Sequence, residues 1–292
     1  MDFFIEKYKQ YLENKRTSSN TVFAYSKDLD EFCSFLKKSN INIKDVKDSD
    51  FSDYADYISG KGYIKSTVAR KLISVRNFFK FLYKNDYLSF NPTLKQDIPK
   101  TERKIPVILD IEEIDRLLTS IEPDTLKGIR DRALLELMYA CGLKANETVN
   151  LKLNNLNLKM GYIICIDSKG KERIIPFGDM AETALTKYLD VRGDIEKVKN
   201  DYLFLNLLGS KLSRQALWKI LKERAKNADI TKEIDLNTIR HSFAVHLLSN
   251  GADIKSIQEL MGHKELTTTL IYANIKKRNK LKEIYNKAHP RA

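Results

Sequence analysis

The stretch Leu260-Met261-Gly262-His263-Lys264-Glu265-Leu266-Thr267-Thr268-Thr269-Leu270-Ile271-Tyr272 decides how this chain is read. It sets a histidine and a tyrosine nine residues apart across a polar, Thr-rich segment. A tyrosine hydroxyl can attack a phosphodiester, and a nearby imidazole can donate a hydrogen bond to the charge that builds there. The segment also carries helix punctuation. Asp253 stands where an N-cap belongs ahead of Ile254 to Met261, and Gly262 follows the last apolar residue.

Working upstream, Arg240 to Leu248 predicts a helix closed by Asn250-Gly251. Further helices are expected around Thr183 to Arg192 and Ser213 to Asn227. The β-branched runs Tyr162 to Ile166 and Arg173 to Pro176 flank Ser168-Lys169-Gly170-Lys171, the pattern of a hairpin. Arg130 to Cys141 reads as an apolar helix with Gly142 after its end, and Asp110-Ile111-Glu112-Glu113 as an acidic first turn. Three of the six prolines, Pro92, Pro99 and Pro106, fall in one stretch with Lys95, Lys100, Arg103 and Lys104, which suits a basic linker along a phosphate backbone. Residues 1–90 show four helical patterns, with Ser66 expected to cap the last. Lys65, Arg70, Lys71 and Arg76 on that helix are expected to form a phosphate-contacting face. A basic last helix is expected around Lys276 to Lys287.

The expected organisation is a helical DNA-binding domain at 1–90, a linker at 91–106 and a larger domain at 107–292. The fold class is mainly α with a small antiparallel β-sheet. Bulk properties agree with a nucleic-acid partner. Lys and Arg number 51 against 39 acidic residues, for a formal charge of +12, and such an excess points to a polyanion. No apolar run is long enough to span a bilayer, and Asp2, Glu6 and Lys7 interrupt any export signal core, so a cytoplasmic location is expected. Cys33, Cys141 and Cys165 lack CxxC spacing and read as reduced, buried thiols. His241 and His246 are five apart, the wrong spacing for a helical metal pair, so neither metal nor cofactor is expected.

Metal-free phosphoryl transfer needs an in-line nucleophile, cations on the nonbridging oxygens, an acid for the leaving 5′-oxygen and a base for the nucleophile. The quoted segments resemble, in order, the motifs of the tyrosine recombinases, the lambda-integrase family. Leu260 to Tyr272 is similar to the end of their catalytic domain. Tyr139-Ala140-Cys141-Gly142-Leu143-Lys144-Ala145-Asn146-Glu147 resembles their first arginine box, Ser168 to Arg173 their hairpin turn, and Asn237-Thr238-Ile239-Arg240 their His-x-x-Arg box. The final Lys287 to Ala292 resembles the tail of the Xer-like branch, which resolves chromosome dimers.

The resemblance implies an N-terminal core-binding, SAM-like bundle and an α+β catalytic domain. It implies site-specific DNA recombination through a 3′-phosphotyrosyl intermediate, with Tyr272 as nucleophile. Arg240 and Lys144 would clamp the phosphate, His263 would hydrogen-bond a nonbridging oxygen, Lys169 would be the general acid, and Asn237 would fill the box-histidine position. Glu147 would hold the local helix, and His241 and His246 would be structural. The implied partners are double-stranded DNA and other recombinase subunits, in a tetramer on two DNA sites with or without a second recombinase. No membrane and no small-molecule substrate is implied.

Lys144 and Asn237 depart from the pattern. Lys keeps the charge of the family's Arg but lacks its planar fork. Asn can donate a hydrogen bond but cannot exchange a proton near pH 7. A DNA-binding relative with weak or lost cleavage, acting as partner or architectural subunit, is therefore the alternative. A helix-turn-helix regulator over Arg240 to Met261 would leave the hairpin lysine and the tyrosine motif without a purpose.

Overall fold

The computed structural model describes residues 2–15, 17–94, 97–99, 105–121, 124–167, 170–195, 198 and 200–276. Lys169, the linker cations Lys95, Lys100, Arg103 and Lys104, and the chain from 277 onward lie outside the described residues, including most of the expected basic last helix. The chain divides into two compact units at residues 104/105.

The first unit is a four-helix bundle: α1 (Asp2–Asn14), α2 (Ser19–Lys38), α3 (Asp48–Gly60) and α4 (Lys65–Lys84). Ser18 caps α2 by accepting the Thr21 N–H. One face of each helix is apolar, and Tyr8, Phe32, Phe51, Tyr54, Phe78 and Phe79 meet in the middle. Burying each such ring contributes about 1.5–3 kcal/mol, so aromatic packing dominates this small core.

Two sequence expectations change here. Ser66 is inside α4 rather than at its cap, because Ile64, two residues earlier, is the extended N-cap residue and its carbonyl accepts the Thr67 N–H. Lys71 does not belong to a solvent-facing basic surface. It is 8% exposed, and its ammonium donates to Asp28 Oδ1 (3.1 Å) and Glu31 Oε2 (2.7 Å). Arg70 also pairs with Asp28. A carboxylate as buried as Asp28 needs such partners, since an unpaired buried charge is costly.

The second unit runs α5 (Ile111–Thr119), α6 (Leu126–Cys141), α7 (Ala145–Asn150), a 3-10 turn at Leu153–Asn155, the strands β1 (Leu156–Asn157), β2 (Tyr162–Ile166) and β3 (Glu172–Pro176), then α8 (Asp179–Arg192), α9 (Arg214–Asn227), α10 (Leu236–Ser249) and α11 (Ile254–Met261). The chain is again helical over 266–276. The sheet is antiparallel in the order β1-β2-β3. The structure is thus mainly helical with one small antiparallel sheet.

α6 is the central element and is buried nearly all round. It starts a turn before the expected Arg130, because Thr125 accepts the Gly128 N–H and caps it there. Arg130 and Arg224 donate to the fully buried Asp131, so both of its oxygens have partners inside the core. α6 ends at Gly142 with φ +56°, and a Cβ there would lie 2.3 Å from the Phe243 ring. Glycine alone meets both demands. A second apolar cluster joins α10, α11 and the final helical stretch through Phe243, Val245, Ile257, Met261, Tyr272 and Ile275. No helix among the described residues is long and apolar enough to cross a membrane.

Candidate active site

The site is assembled around one carboxylate. Glu147 is buried in the first turn of α7, where it closes a capping box by accepting the Lys144 N–H at 2.9 Å. The hairpin then brings Arg173 to it. In the β2–β3 register Arg173 lies opposite Cys165, and directly opposed residues share a face. Cys165 is an inward residue of β2, so Arg173 points inward as well. Its Nη1 and Nη2 donate to Glu147 Oε1 and Oε2 at 3.0 and 2.9 Å, and its Nε donates to the Leu260 carbonyl at 3.0 Å. Burial pushes the Glu147 carboxyl up, but the Arg173 hydrogen bonds and the Lys144 N–H outweigh it and hold the pKa below its ordinary value.

Arg240 lies on the far side of the same carboxylate. It is 4% exposed, with Nη1 at 3.9 Å from Glu147 Oε2. Its two terminal nitrogens donate to the carbonyls of Gly142 and Met261, each at 2.5 Å. These carbonyls stand at the C-terminal ends of α6 and α11, where acceptors are otherwise unsatisfied and the helix dipole is negative. Both ends are closed by left-handed glycines, Gly142 and Gly262. Two helix ends therefore fix one guanidinium. Lys144 joins from the α6–α7 corner: its Nζ is 3.7 Å from Glu147 Oε1, and its side chain remains 48% exposed.

Gly262 turns the chain into His263, whose Nδ1 is 2.9 Å from Thr269 Oγ1. The His263 ring stacks on Tyr272 with centroids 6.3 Å apart and planes at 19°. Burial, then the Arg240 and Lys144 charges, bring the His263 pKa down to about 4. His263 also lines an open cleft of about 1160 Å³, together with Lys171, Arg173, Lys255 and Lys264, so it is reachable from solvent.

Tyr272 is only 2% exposed, because Thr269, Tyr272 and Ile275 form the buried stripe of the last helical segment. Its hydroxyl lies 2.9 Å from Nδ1 of His241. Burial raises the phenol pKa, and the Arg240 charge opposes that rise. Burial also lowers the His241 pKa; Asp235 opposes this and Arg240 adds to it.

Arg240, Lys144, His263 and Tyr272 are thus held in one cluster. The hydrogen bonds of Asn237 go to its own helix cap. α10 starts at Leu236, a turn before the expected Arg240, so Asn237 sits in its first turn with its side chain exposed. There its N–H donates to the Asp235 cap at 2.9 Å, and its Nδ2 lies 3.5 Å from the same carboxylate. Lys169 lies outside the described residues.

His241 and Arg173 were missed as site residues. His241, read as a packing residue of the helix, instead meets the tyrosine hydroxyl. His246 does pack structurally, with its Nδ1 at 2.8 Å from Tyr139 Oη. The cross-strand position of Arg173 opposite Cys165 could have been read from the hairpin register.

Comparison with known proteins places this geometry. The Phage integrase family model matches residues 108–279, and the model of the phage integrase N-terminal SAM-like domain matches 5–86. The chain is 40% identical over 298 residues to the tyrosine recombinase XerD of Listeria monocytogenes, covering 100% of both chains. It is 38% identical over 296 residues to that of Staphylococcus saprophyticus, again covering 100% of both. The crystal structure of the XerH site-specific recombinase bound to a palindromic difH substrate, a post-cleavage complex, superposes with a TM-score of 0.79 at 25% identity, over 96% of this chain and 83% of that one. With its SAM-like bundle and an integrase domain holding a tyrosine among clustered cations, the chain belongs to the phage integrase family, in the Xer branch of the tyrosine recombinases.

Proposed function

We propose that this protein cuts and rejoins double-stranded DNA at a specific site through a covalent 3′-phosphotyrosyl intermediate. The observation that carries the reading is the position of Tyr272, whose ring stacks on His263 beside the Arg240 charge. Its hydroxyl attacks the scissile phosphorus while Arg240 and Lys144 hold the nonbridging oxygens. His263, neutral at pH 7, donates a hydrogen bond to one of them. Lys169 protonates the departing 5′-oxygen. Asn237 contributes at most a hydrogen bond to phosphate.

The division of labour follows the domains. Residues 1–90 bind DNA, 91–106 link, and 107–292 carry the chemistry. Strand exchange needs two DNA sites, so the working form is a tetramer of recombinase subunits, with or without a second recombinase, acting in the cytoplasm. Tyr272 is 2% exposed, so DNA engagement includes uncovering its hydroxyl.

The test is a nicked duplex carrying the sequence that this protein selects from a randomised pool. The parent forms a protease-sensitive covalent adduct. Specific binding with no adduct would return the alternative, a DNA-binding relative that does not cleave.

A further inference from the structure

One contact has chemistry that the assigned roles leave unused, the hydrogen bond between His241 Nδ1 and Tyr272 Oη at 2.9 Å. We propose that His241 is the proton acceptor for Tyr272: its Nδ1 takes the phenol proton as the tyrosine attacks DNA, and returns it when the strand is rejoined. This rests on the recombinase reading above.

The position that the family pattern gives to a histidine is Asn237 here, and an amide cannot serve as a base. Asn237 is also exposed, and its amide is turned to Asp235 at the start of α10. A phenol whose pKa is raised by burial still needs its proton removed. Two imidazoles touch the tyrosine, and their geometry separates them. His263 lies against the ring face, and its Nδ1 is engaged with Thr269 Oγ1. His241 meets the hydroxyl itself. The charged and titratable groups bearing on His241 are Asp235 and Arg240 on and beside its own helix, with Tyr272 and His263 across from it. Burial leads among them and keeps the imidazole neutral at pH 7, with an Nδ1 lone pair available in the tautomer protonated at Nε2.

In the forward step the bond from Tyr272 Oη to phosphorus forms and the bond from phosphorus to the 5′-oxygen breaks. The phenol proton passes to His241 Nδ1, and the 5′-oxygen takes a proton from the general acid. On rejoining, the 5′-hydroxyl attacks the phosphotyrosine, and His241 gives its proton to the departing phenolate.

The experiment compares the parent, His241→Gln and His241→Ala on the nicked duplex selected by the protein, and on the same duplex with a 5′-bridging sulfur at the scissile position. A thiolate leaves without protonation, so this substrate makes the general acid unnecessary and leaves the need for a base. Both variants should bind DNA like the parent and cleave slower by roughly 10² to 10⁴. The sulfur substrate should not restore them, whereas added imidazole should partly restore His241→Ala. Parent cleavage should rise with pH only up to the imidazole pKa, while the variants should keep rising into the alkaline range where the phenol ionises.

Unchanged or faster cleavage in His241→Gln overturns the proposal, because the contact then merely stows the phenol. Restoration by the sulfur substrate also overturns it, since His241 would then be the acid. A parent that forms no adduct overturns the recombinase reading and this proposal together. A parent that reacts while the variants match it overturns the proposal alone.

Discussion

The guanidinium of Arg173 grips both carboxylate oxygens of Glu147, at 3.0 and 2.9 Å, across 26 residues of chain. This pair ties the hairpin to the α6–α7 corner and sets the floor on which Arg240 and Lys144 rest. Removing one partner of a buried pair strands the other's charge. Glu147→Gln should therefore destabilise the protein by about 3–5 kcal/mol, and Arg173→Met by a similar amount. The double variant should lose less than the sum of the two, because neither charge is then left unpaired. Denaturant midpoints check this, and an additive pair would show that the contact contributes little.

Gly142 should tolerate no side chain. Its φ of +56° strains an L residue, and a Cβ would stand 2.3 Å from the Phe243 ring. Gly142→Ala should cost about 1–3 kcal/mol from overpacking, with the backbone strain added to it. Because the Gly142 carbonyl accepts from Arg240, DNA cleavage should fall further than the loss of folded protein explains. Calorimetry alongside cleavage rates separates the two effects.

The imidazoles make stability depend on pH with a definite sign. The His263 pKa lies at about 4 and that of His241 is lowered, so the native state binds fewer protons than the unfolded chain. Stability from these groups is complete above the unfolded value of about 6.5 and should fall as pH drops toward 4. Glu147, with its folded pKa lowered, adds a further loss below its unfolded value. Imidazole resonances followed by NMR should show His241 titrating below pH 6.5 and His263 near pH 4. A normal titration of either would contradict the buried site.

Much of this was legible in the sequence because local chemistry decides it. Asp253 and Gly262 bracket α11, and Gly142 closes α6, since caps and left-handed stops depend on one residue each. The paired β-branched runs gave the hairpin in the same way. What stayed hidden depends on distant partners. Lys71 is charged, and it is the carboxylates of Asp28 and Glu31, 43 and 40 residues away, that make it internal. His241 fits a helix period on any face, and its partner Tyr272 is 31 residues on. The start of α10 was misread because Asp235 caps it from outside the apolar pattern.

Lys144→Arg restores a planar fork beside Glu147, and Asn237→His restores an imidazole at the box position. Together they should raise the cleavage rate about tenfold or more, given that one oriented transition-state donor is worth roughly 10² to 10³. Adduct formation against time measures it. A double variant no faster than the parent would mean that the parent's own residues already fill both roles.

The most direct measurement is covalent capture. The parent and Tyr272→Phe are incubated with the nicked duplex, and the products are separated under denaturing conditions and mapped by peptide mass. The parent should give a protein–DNA adduct carried by Tyr272, and the phenylalanine variant should bind equally well and give none. An adduct that persists in Tyr272→Phe, or one that maps to another residue, would contradict the account.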